Sequence, residues 1–129
     1  MHCLVNWVRT RHGLAPLREL PQLERSSTLR LSAIRRCGQF SHTPCGQPFV
    51  QPFVTVGYLR GTGSVGENLA WGSSSLGSPR ATLEAWLRSP GHRENLLRAS
   101  WRDCGVALTR GRLFGVSGVS LWALQFGRR

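Results

Sequence analysis

Three short segments carry side chains able to do chemistry: Phe40-Ser41-His42-Thr43, Gly66-Glu67-Asn68-Leu69-Ala70-Trp71-Gly72 and Ser89-Pro90-Gly91-His92-Arg93. Together they offer two imidazoles and one carboxylate. That donor set suits a catalytic zinc ion with a fourth position left for water, which then becomes a nucleophile near neutral pH. Each segment also has a plainer reading. A lone histidine is more often a hydrogen-bonded structural residue, Glu67 beside Gly66 can bond nearby backbone amides, and His92 in the first turn of a helix can be simple surface. No local metal signature of the His-Glu-x-x-His kind is present, because His42, Glu67 and His92 lie 25 positions apart in succession. Only a fold can bring them together.

The elements that must do so are legible in the pattern of apolar residues. Leu4, Trp7 and Val8 follow i, i+3, i+4 spacing with Gly13 beyond them, which predicts a short amphipathic helix over 2–12. Pro16 breaks it. Leu20, Leu23, Ser27, Leu31, Ile34 and Cys37 predict the longest helix, stopped by Gly38. Ser78-Pro79 and Ser89-Pro90 each write an N-cap followed by proline at the first helical position. The first helix has Leu83, Trp86 and Leu87 on its apolar face, and the second carries Leu96 and Leu97. Ser64 to Trp71, the alternation at Cys104, Val106 and Leu108, and the run from Val119 to Phe126 predict strands. The last run is apolar on both faces, as a covered central strand is. The segment from Gly72 to Ser78 reads as a flexible surface loop. The order of elements predicts an α+β domain over residues 1–129, with helices packed on one small sheet.

Composition sets the outer bounds. A chain of 129 residues with 40% hydrophobic content can close one core, and no apolar run is long enough to span a membrane. The N-terminus lacks a charged region followed by an apolar stretch, so no export signal is visible. The formal net charge is +11, and all 17 basic residues are arginine. They are scattered, which predicts a diffuse basic surface and no specific nucleic-acid site.

Taken in order, these motifs resemble those of the CAP superfamily (cysteine-rich secretory proteins, antigen 5 and pathogenesis-related proteins) in its short bacterial SCP-like form. The resemblance runs from Leu4-Val5-Asn6 and Arg9 through Gly13-Leu14, Pro16-Leu17, Leu23, Phe40-Ser41-His42, Gly57-Tyr58 and the Gly66 to Gly72 segment. It continues through Trp86, Ser89 to Arg93, Asn95-Leu96-Leu97, Gly105-Val106 and Phe126-Gly127. It implies an α-β-α sandwich with a small, mainly antiparallel sheet, an extracellular or cell-envelope location, and a cleft shared by His42, Glu67, Asn68, Ser89 and His92. The second acidic residue that eukaryotic members carry just after the helix tryptophan is absent, since Trp86-Leu87-Arg88-Ser89 stands there. Pro52 in Pro48-Phe49-Val50-Gln51-Pro52-Phe53 makes a regular helix at that point doubtful.

The resemblance implies a binding or interaction module with no agreed enzymatic activity, whose cleft can hold a small ligand or a divalent metal (Zn, Mg or Ca) on His42 and His92. The partner would be an extracellular ligand such as a lipid or a cell-envelope component. An alternative is a metal-dependent hydrolase of an extracellular polymer or peptide, with Glu67 as general base. Another is lipid or sterol carriage, with Phe49, Phe53 and Tyr58 either lining an apolar groove or forming core. Of the four cysteines, Cys37 and Cys45 are the best disulfide pair, bracketing His42. Cys3 and Cys104 are expected either as buried free thiols or as a second bridge.

Overall fold

A computed structural model describes all residues, Met1–Arg129. Five helices and four strands follow one another as α1 (His2–Arg11), β1 (Arg18–Glu19), α2 (Pro21–Cys37), α3 (Gln51–Thr55), β2 (Ser64–Ser73), α4 (Pro79–Arg88), α5 (Pro90–Leu97), β3 (Asp103–Leu113) and β4 (Val116–Arg128). The sheet order is β1-β3-β4-β2, with β1 parallel to β3 and the other pairings antiparallel. β4 is therefore central, and it is buried continuously from Val119 to Gly127. β2 forms an edge of the sheet.

Two cores lie on opposite faces of this sheet. Val5, Val8, Leu83, Trp86, Leu96, Trp101, Trp122, Leu124 and Phe126 pack under α1, α4 and α5. Leu31, Ile34, Leu69, Leu121 and Ala123 pack under α2. The result is an α-β-α sandwich. α2 sits directly on β3 because Gly105 has no Cβ, and one there would collide with the Leu23 and Glu24 backbone. Ser27 Oγ then donates to Gly105 O at 3.0 Å.

Four local expectations need correction. α1 buries Val5, Val8 and Arg9, while Trp7 is 58% exposed. Arg9 can be buried because its guanidinium donates to the carbonyls of Ala15, Leu96 and Arg98. Cys3 is likewise exposed, whereas Cys104 is buried; both thiols are free, so no second bridge forms. A helical turn does form at Gln51–Thr55, because Pro52 falls in its first turn, where a missing N–H costs nothing. Finally, the Gly72 to Ser78 segment is ordered structure. β2 runs on to Ser73, a 3₁₀ turn covers Ser74–Gly77, and Trp122 Nε1 donates to Gly77 O at 2.9 Å.

Candidate functional site

The edge strand β2 is where the two helical layers meet. Its alternation sends Glu67 to the α2 side and Asn68 to the α5 side. Glu67 is sealed from solvent, and each of its oxygens is occupied. Oε1 accepts from His42 Nδ1 at 2.8 Å, and Oε2 accepts from Arg30 Nε at 2.9 Å and from Gln125 Nε2 at 2.7 Å. Arg30 also donates to Phe49 O. A carboxylate only accepts, so His42 must carry its hydrogen on Nδ1, which leaves the Nε2 lone pair of the neutral ring directed away from the carboxylate. The His42 side chain is 50% exposed, so this nitrogen can meet a ligand.

The backbone around His42 is held by chemistry near it. A disulfide joins Cys37 at the end of α2 to Cys45, with Cα atoms 5.7 Å apart. Cys45 N donates to Gln39 Oε1 and Thr43 N to Ser41 Oγ. The ring of Phe49 meets the His42 imidazole edge to face at 6.2 Å.

His92 arrives from the other layer. Ser89 precedes α5, as its Ser-Pro pair predicts, but its hydroxyl pairs with His92 Nδ1 at 2.9 Å and makes no cap bond. Ser78, by contrast, caps α4 by accepting from Ala81 N. Asn68 ties α5 to the sheet: Nδ2 donates to His92 O and Oδ1 accepts from Asn95 Nδ2, which also donates to Glu67 O. Burial first, and the charge of nearby His42 second, push the His92 pKa below its usual value. The two imidazoles thus share an electrostatic neighbourhood.

A cleft of about 410 Å³ opens along this edge, lined by His42, Phe49, Val65, Gly66, Glu67, Asn95, Arg98 and Trp101; of the five residues expected to share a cleft, His42 and Glu67 are on its wall, and Asn68, Ser89 and His92 are not. Neither His42 Nε2 nor His92 Nε2 has a protein partner. No group of three or more His, Cys, Asp or Glu side chains is placed together so as to hold a metal ion. Of the aromatic stretch, Phe53 and Tyr58 are core, packed with Leu23, and only Phe49 reaches the cleft.

Sequence reasoning missed Arg30 and Gln125. Both left a signal. Arg30 is a charge on the face of α2 that also holds Leu23, Ser27 and Ile34, and Gln125 is the long polar residue on the β4 face of Leu121 and Ala123.

The cysteine-rich secretory protein (CAP) family model matches residues 3–119. The uncharacterized protein YkwD of Bacillus subtilis is 29% identical over 126 residues, which is 95% of this chain and 44% of that protein, so the chain spans less than half of that relative's length. Among solved structures, an extracellular SCP-domain protein of Bacillus anthracis superposes with a TM-score of 0.76 at 26% identity, covering 98% of this chain and 38% of that one. An outer surface protein of Borrelia burgdorferi gives 0.82 at 20% identity, covering 99% and 89%, and a cysteine-rich secretory protein of Staphylococcus aureus gives 0.74 at 16%, covering 99% and 37%. With the family model spanning nearly the whole chain and the α-β-α sandwich shared by these structures, the chain belongs to the CAP family of cysteine-rich secretory proteins.

Proposed function

We propose that the chain is an extracellular binding module in which His42 Nε2, in the cleft, and His92 Nε2, on α5, are available to a divalent cation or a small polar ligand. The observation that carries this reading is the 2.8 Å hydrogen bond from His42 Nδ1 to the buried Glu67 carboxylate. A carboxylate behind an imidazole fixes its tautomer and raises the basicity of the opposite nitrogen, as in metal-binding carboxylate–histidine pairs. The Ser89 hydroxyl orients His92 in a similar way. A bound cation would add a Lewis-acid centre, with water or the ligand completing its coordination. The disulfide and the likeness to an extracellular protein support the location.

The hydrolase reading has less support. With both Glu67 oxygens occupied and no solvent access, a proton-abstracting role falls more naturally to His42 Nε2 than to Glu67. The carriage reading loses Phe53 and Tyr58 to the core.

Thermal unfolding with Zn²⁺, Mg²⁺ and Ca²⁺ at pH 7.5 tests the proposal. Zinc at about 100 times its dissociation constant should add roughly 2.7 kcal/mol, seen as several degrees in Tm. His42→Ala or His92→Ala should abolish the shift. A Tm indifferent to all three cations would end the metal reading and leave only a small-ligand cleft.

A further inference from the structure

We propose that the end of the molecule bearing the β3–β4 turn docks on an anionic lipid surface. Three aromatic side chains from separate segments converge there. Phe114 lies between Phe40 and Trp71, with ring centroids at 6.3 Å and 5.6 Å. Phe40 is 45% exposed and Trp71 41%.

The turn itself is built at a cost. Phe114 and Gly115 are its only two residues, with φ of 53° and 74°. Two successive positive φ values define a type I′ turn, whose first position favours Asn, Asp or Gly. A bulky phenylalanine there is strained. Phe114 packs against the α2-side core from this turn and links that core to the exposed Phe40 and Trp71.

Charge names the partner. Arg35 and Arg36 end α2, and Arg110 and Arg112 lie near the turn; all four are exposed and none is paired with a carboxylate. The Arg35 guanidinium lies over Gly111, about 3.6 Å from where a Cβ would sit, and Arg112 donates to Ser117 Oγ across the hairpin. No acidic residue occurs between Arg25 and Gly66 or after Asp103. None of the three aromatics lines the His42 cleft, so this patch is separate from it. An aromatic cluster at a hairpin that carries the unpaired Arg112 and lies beside the unpaired Arg35 matches the interfacial layer of a membrane carrying acidic headgroups.

Co-sedimentation with vesicles of phosphatidylcholine, with and without about 30% phosphatidylglycerol, tests this. Binding should require the anionic lipid and weaken with salt. Arg35→Gln and Arg112→Gln should each reduce it about fivefold. Phe114→Asn should reduce it at least tenfold with the chain still folded, since asparagine suits the turn and offsets part of the packing that is lost. It should leave any zinc response of the cleft unchanged. Trp emission should shift to the blue on vesicles, and Trp71→Phe should remove much of that shift. Equal binding to neutral vesicles, or full binding by Phe114→Asn, would overturn the proposal. So would soluble polyphosphate binding with the same dependence on Phe114, which would make the partner a polymer.

Discussion

His42 and His92 are mounted in opposite ways. His42 hangs from a loop, yet behind it stands a buried array of Glu67, Arg30 and Gln125, and a disulfide clamps its flank. His92 sits on regular helix, yet its ring is held by one serine hydroxyl. Regular secondary structure does not by itself fix a side chain. The His42 ring is oriented by charge taken out of water, and the His92 ring by a single bond at the rim. The first arrangement is costly to break, because removing one member of a buried ion pair strands the other. The second leaves the His92 ring freer to reorient.

Glu67→Ala should give the largest effect. It strands Arg30, which is itself fully buried, and such losses run about 3 to 5 kcal/mol, readable as a fall in urea midpoint. An apolar pair, Arg30→Met with Glu67→Leu, should restore much of the stability while destroying the orientation of His42. A loss under about 1 kcal/mol for Glu67→Ala would erase the contrast between the two arms. Next in size is the clamp. Replacing Cys37 and Cys45 by alanine opens a loop of sequence separation 8 and should cost roughly 2 to 3 kcal/mol by loop entropy. It should also mobilise His42 and leave His92 undisturbed, which amide exchange of the two segments would show.

The Ser-Pro starts of α4 and α5 could be read locally, because the preference of Ser before Pro at a helix start is local chemistry. The covered position of β4 was legible because both of its faces are apolar. The buried face of α1 was not, because hydrophobicity favoured Trp7 over Arg9, and only three carbonyls from distant segments make Arg9 a core residue. Arg30 and Gln125 were obscure for the same reason. Each appears as a polar residue on an apolar face, and the partner that explains it lies 37 or 58 positions away. Periodicity assigns a residue to a face; it does not say what waits on the other side. The nearness of His42 and Glu67 likewise followed from family resemblance and from no pattern in the spacing.

Ser89→Ala removes the one bond that orients His92, and because the ring is part-exposed its cost should stay under about 1 kcal/mol. If it instead approached the loss from Glu67→Ala, His92 would be as firmly mounted as His42.

The smallest effect is the most specific, and it concerns pH. The folded state depresses the His92 pKa, through burial first and the neighbouring His42 charge second. The unfolded chain therefore binds a proton at this site more readily than the folded one. Where the unfolded state holds more protons, stability rises with pH. The contribution of His92 is thus intact above its ordinary value of about 6.5 and is lost as pH falls from there through the lowered folded value. Melting measured from pH 8 down to pH 5 should show that decline, and His92→Asn should flatten part of it. His42→Asn should raise the His92 pKa slightly, by removing the lesser cause and leaving the burial. Proton NMR titration of the His92 ring reads both changes directly. A His92 that titrates at or above 6.5 in the native protein would show that neither burial nor the His42 charge dominates at its ring.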